Sequence, residues 1–293
     1  MTNLSGVPSS STMLRWTTLI VIAANMAFVV VFNSLSESKT LAKLAEEYGD
    51  TFLPAGFAKG ICALIAIGFL LFYVAALWPS KRSRRSYDNL VIPLALTSML
   101  ATIWIVAFRH EEIALSVASI AGILALAGVM FARVAAISPG KYSRWLRVPF
   151  GVHFAAMTIA LLVAVVQWLN ASGALEGTAV GPDVVATVFL AIAAVAGGFV
   201  AFRYRDFVYP AVIASTAGAM VVDQHVIRPD IATYALVAGV AMLVVVALAI
   251  AAQARQPRRD PKVRSTRGGA KVAPSALDES WYPIEGSATM IRL

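Results

Sequence analysis

Long apolar runs alternate with short polar ones along this chain. Residues 61–78 are uncharged, and at about 1.5 Å rise per residue they cover most of the roughly 30 Å hydrocarbon core as a helix. The run follows Pro54-Ala55-Gly56 and ends at Trp78-Pro79, where Lys81, Arg82, Arg84 and Arg85 follow. The same unit recurs. The pattern predicts spans over residues 14–32, 54–78, 90–108, 113–137, 148–169, 184–202, 207–222 and 231–252. The expected fold is therefore an all-α integral membrane protein, a bundle of about eight transmembrane helices.

The polar pieces organise the rest. Residues 1–13 read as a short N-terminal tail, and the first apolar run is too long for a signal peptide and lacks a small-x-small cleavage site. Residues 109–112 are so few that the flanking spans must form a tight antiparallel hairpin. Residues 207–222 form the shortest span and admit a re-entrant reading. Residues 253–293 are rich in Pro, Gly, Ser and Arg, hold too little apolar material for a core, and read as a disordered basic tail.

Charge adds direction. Of 293 residues 59% are hydrophobic and only 14% charged, against about 25% in soluble domains. Lys plus Arg number 4, 3 and 2 in the even loops and 8 in the C-terminal tail, but 2, 1, 0 and 1 in the odd loops. This bias predicts even loops and both termini in the cytoplasm, in a plasma membrane. It also accounts for the net charge of +8 without nucleic acid. The single Cys62 excludes an intramolecular disulfide and a CxxC site.

Candidate chemistry is sparse. Lys59 sits at the outer end of its span, where it either meets an acidic ligand group or snorkels to headgroups. Arg133 reads as an inner interfacial anchor. His153 is either a ligand or proton site, or a histidine bonded to a backbone carbonyl. Gln167 reads as an interface residue, and Trp78, Trp104, Trp145 and Trp168 as an aromatic belt. Gly122, Gly128, Gly197 and Gly198 are expected to let helices approach closely. His110, Glu111 and Glu112 with Asp223, His225 and Asp230 are metal-capable side chains on outer loops. Short loops are polar anyway, and no metal is assigned. No constellation of nucleophile, acid and base is visible, so an enzyme is not expected.

Three pieces, FLPAGFAKGICALIAIGFLLFY, LTSMLATIWIVAFRHEEIALS and RVPFGVHFAAMTIALLVAV, resemble the tryptophan-rich sensory protein (TspO/MBR) family, and with RYRDFVYPAVIASTAGAM its long bacterial branch. The resemblance implies a five-helix core over residues 14–169, three added helices over 170–252, and a ligand-binding or sensory role without firm catalytic activity. It implies a porphyrin- or haem-like, sterol-like or lipid-like ligand between the helices. The corresponding positions are Pro54, Gly56 and Phe57 with Lys59 nearby, Trp104, and Pro149, Phe150, His153 and Phe154. The family's span-three asparagine is Ala101 here. Its expected aromatic or polar positions elsewhere fall on Cys62, Ala156 and Ala164, so the scaffold is better matched than the ligand.

Besides the bilayer and a small hydrophobic ligand, a homodimer is an open arrangement. Two rival functions remain. A transporter of a hydrophobic solute would use helices broken at Pro93, Pro210 and Gly218. An assembly partner would use Arg258, Arg259, Lys262, Arg264 and Arg267 of the tail on anionic headgroups or a cytoplasmic protein.

Overall fold

A computed structural model describes residues 10–35, 84–136, 141–175 and 181–254. The run at 54–78, with Pro54, Gly56, Phe57, Lys59 and Cys62, and the tail with Arg258, Arg259, Lys262, Arg264 and Arg267, lie outside the described residues. The described residues form seven helices and no strand: α1 (Ser10–Leu35), α2 (Arg84–Arg109), α3 (Ile113–Ala136), α4 (Lys141–Ala171), α5 (Pro182–Tyr204), α6 (Val208–Gln224) and α7 (Pro229–Ala254). Five contain segments long and apolar enough to cross a membrane: Asn89–Arg109, Ile113–Ala136, Arg147–Ala171, Val184–Tyr204 and Pro229–Ala252. The long apolar piece of α1 is shorter, Trp16–Asn25. Helix α6 has 17 residues, roughly 25 Å, somewhat less than the hydrocarbon core.

Local chemistry sets the boundaries. Gly181 and Pro182 start α5, where the missing proline N–H costs nothing. Pro229 and Asp230 start α7 in the same way, with an acid against the positive end of the helix dipole. Glu111 takes a left-handed φ of 61° in the turn between α2 and α3. Helix α4 begins at Lys141, seven residues before the apolar run that predicted it. Hydropathy marks only where the helix enters the apolar layer. The basic turn before it is helical too, and Arg147 fastens it by donating from Nη2 to the Ala135 carbonyl at 2.8 Å.

The helix breaks expected for a transporter at Pro93, Pro210 and Gly218 do not occur. Helix α2 runs through Pro93, α4 through Pro149 and α6 through Gly218, while Pro210 lies in the first turn of α6. The Asn89 carbonyl, which Pro93 leaves without its helical N–H partner, accepts instead from Arg133 of α3.

Helix α2 packs on α1 and α3, α3 on α4, and α6 on α7, with α5 against α6 and α7 and α4 against α6. Small residues make the close contacts. Ala155, Ala217 and Ala235 are fully buried beside Met130, Phe131, Val134 and Ile213. With little hydrophobic drive inside lipid, such close packing is what holds helices together. A Cβ added at Gly128 would lie 3.2 Å from Phe154, and one at Gly197 2.8 Å from Met242 Sδ. Gly198 has nothing within 4 Å, so close approach explains Gly197 and not its neighbour.

Candidate functional site

The short turns give the bundle two chemically different ends. Arg109, His110, Glu111, Glu112, Asp223, His225, Arg228 and Asp230 gather at one, which is net acidic. Arg133, Arg147, Arg203, Arg205 and Asp206 gather at the other, which is basic.

Phe150, His153 and Phe154 lie at spacings of three and four on α4, in its basic half. Phe150 and His153 are buried, at 1% and 5% exposure, while Phe154 is half-buried. His153 thus lies within the bundle and not at its surface. The Phe154 ring stacks on Phe131 of α3 at 5.6 Å and tilts against Tyr209 of α6 at 5.0 Å. Phe131 in turn meets Tyr204 of α5 edge-on at 5.2 Å. Four helices therefore meet in one aromatic junction.

Polar groups fasten its rim. The Tyr209 hydroxyl and Thr158 Oγ1 are 2.7 Å apart, and Thr158 also donates to the Phe154 carbonyl at 3.0 Å. Asp206 Oδ1 accepts from the Val208 and Tyr209 N–H groups, each at 2.9 Å, and so caps α6. Gly151 admits this turn: a Cβ there would lie 3.3 Å from Val208 and 3.6 Å from Asp206 Oδ1. Burial pushes the Asp206 carboxyl above its ordinary value, against the two backbone N–H bonds and the Arg147 charge that pull it down.

Trp104 is not part of this junction. It is half-buried on α2, five residues from Arg109, in the acidic half. It stands on the order of 15 Å from His153 along the bundle axis, counting helical rise. On another face of that end Thr102, Ile103, Val106, His110, Glu112 and Leu115 line an open depression of about 620 Å³.

Arg133 is exposed and donates to the Asn89 carbonyl. Trp168 is exposed, but Gln167, expected at the interface, is buried at 6% exposure. Gln167 points inward because it falls three residues after Ala164 on the buried face. Among the described residues no group of three or more His, Cys, Asp or Glu could hold a metal ion, so the two outer loops do not combine into such a site. Sequence reasoning missed Thr158, Tyr209 and the Asn25–Ser98 hydrogen bond between α1 and α2, 3.1 Å from Nδ2 to Oγ. One signal was legible: Asp206 with Pro210 just beyond it marks a helix start.

Residues 15–250 match the family described as TSPO-like protein. The chain belongs to that family. No curated protein and no solved structure matches it. The TSPO-like chain is thus a multi-pass, all-helical membrane protein, and the resemblance to tryptophan-rich sensory proteins holds over nearly all its apolar sequence.

Proposed function

We propose that this protein is a membrane-embedded binding or sensory protein for a small apolar or amphipathic ligand, porphyrin- or lipid-like. The observation that carries the reading is the TSPO-like match, which takes in every described span. The protein is not an enzyme on this reading. The bundle has eight spans, a five-helix core and three added helices. It lies in the plasma membrane with its basic end and both termini in the cytoplasm, as the charge bias of the loops supports.

The ligand lies in the acidic half, against Trp104. Packing supports this choice. Phe150 and His153 are buried within the described junction, and Phe154 is held between two rings. A bulky planar ligand would have to displace that junction to reach them. A transporter is the second reading, but its helix breaks are absent from α2 and α6.

Protoporphyrin titrated into the detergent-purified protein tests the reading through quenching of tryptophan fluorescence. Saturable binding with no flux of the porphyrin across proteoliposomes is expected. Flux would replace binder with transporter, and absence of saturable binding would remove the porphyrin-like ligand class.

A further inference from the structure

The depression between α2 and α3 at the acidic end has the size of a small-molecule site, about 620 Å³. It runs from His110 in the turn down to Thr102, roughly 12 Å at about 1.5 Å rise per residue. Just below Thr102 the two helices close up: a Cβ at Gly122 of α3 would lie 2.9 Å from Leu100 Cδ1 of α2.

The lining changes character along this length. Ile103 and Leu115, 43% and 51% exposed, make with Val106 an apolar lower part that opens sideways to the acyl region. The Thr102 hydroxyl is engaged, donating to the Ser98 carbonyl at 3.3 Å, so this part offers no free side-chain donor. At the mouth stand His110 and Glu112, both exposed. Among the described residues, Glu112 is the one acid in the lining, and no lysine or arginine joins it. Arg109 stays out of the lining and has its Nε buried. Glu111, Asp223 and Asp230 add negative charge at the same end.

Charge complementarity selects the occupant. An apolar body fills the lower part and leaves water in doing so. A cation gains at the mouth, where the carboxylate borders a low-dielectric layer that strengthens the attraction. A phospholipid would set its phosphate beside Glu112, like charge against like. An uncharged apolar molecule would leave Glu112 unused.

We propose that this depression binds a lipophilic organic cation, its charge beside Glu112 and its apolar body against Ile103, Val106 and Leu115. Ile103, Val106 and His110 recur at spacings of three and four, whereas Trp104 is turned roughly 100° from Ile103 around α2. The site is therefore separate from the one proposed at Trp104 and independent of it.

The test is equilibrium dialysis of the full chain, in an uncharged detergent, against tetraphenylphosphonium. Tetraphenylborate, an anion of nearly the same shape, is the reference. The wild type should bind the phosphonium saturably and at least tenfold more tightly than the borate. Glu112→Gln should weaken phosphonium binding at least fivefold. Ile103→Trp, which fills the depression and leaves its charge, should do the same. Asp230→Asn, which removes an acid from the same end outside the depression, should stay within twofold of wild type, as should Trp104→Leu. Equal binding of the two ions overturns the proposal, and so does unchanged affinity in Glu112→Gln or Ile103→Trp. A fivefold loss in Asp230→Asn also overturns it, in favour of the general charge of this end. The same loss in Trp104→Leu does so in favour of one site shared with the ligand at Trp104.

Discussion

The hydroxyl of Tyr209 on α6 meets the hydroxyl of Thr158 on α4 at 2.7 Å, at a site buried among the rings of four helices. Tyr209 is also one of the two residues whose N–H groups Asp206 caps. One side chain thus fastens α6 to α4 while its backbone starts α6. Tyr209→Phe keeps the ring contact with Phe154 and removes only the bond between hydroxyls. The expected loss is about 1 kcal/mol, read as a lower unfolding temperature in detergent. Thr158→Val should cost a similar amount, and the two changes together should cost less than their sum because they break the same bond.

Asp206 makes stability depend on pH in a direction opposite to most carboxylates. Burial raises its pKa above the unfolded value, and the Tyr209 and Val208 N–H groups and Arg147 offset this only in part. The folded chain therefore holds this proton more tightly than the unfolded chain. Its contribution to stability is full below the unfolded pKa and is lost as pH rises through the folded one. Asp206→Asn keeps a capping oxygen and removes the titration. Acidification from neutral pH should thus stabilise the wild type relative to Asp206→Asn, measured as the difference between their unfolding temperatures across the acid range. Asp206→Ala, which also lacks the capping oxygen, should lie about 1 kcal/mol below Asp206→Asn at every pH.

Adjacent glycines on α5 should behave differently. At Gly197 an added methyl would press on Met242 Sδ at 2.8 Å, so Gly197→Ala should destabilise by roughly 1–3 kcal/mol through overpacking against α7. Gly198 faces open space, so Gly198→Ala should be neutral, or stabilising by up to about 1 kcal/mol from helix propensity. Thermal unfolding of the two single variants in one detergent checks the contrast.

The spans were legible because hydropathy records which residues face lipid or core. Residues 113–137 and 231–252 correspond to α3 and α7 within two residues, and residues 90–108 to the apolar part of α2, Asn89–Arg109, though α2 itself starts six residues earlier. The start of α4 was not legible, since a polar helical turn outside the apolar layer has the composition of a loop. Prolines misled in the other direction: α2 continues through Pro93, and the Asn89 carbonyl accepts from Arg133 there. Cross-helix partners were the least legible. Periodicity places Thr158 on the buried face of α4, but nothing local announces that Tyr209, 51 positions away, will meet it. The same holds for Asn25 and Ser98. For the candidate site, Phe150, His153 and Phe154 share a face of one helix, which spacing shows directly. That Trp104 belongs to the other half of the bundle follows only once helix directions are counted through the turns.

The proposed ligand site lies in the acidic half, near Trp104 and apart from the aromatic junction. The most direct measurement is the protoporphyrin titration repeated on Trp104→Leu and His153→Ala, following the quenching of the remaining tryptophans. A site near Trp104 predicts saturable binding by the wild type, at least tenfold weaker binding by Trp104→Leu, and His153→Ala within twofold of wild type. Binding weakened by His153→Ala and untouched by Trp104→Leu would contradict this placement and move the ligand into the junction of α3, α4, α5 and α6.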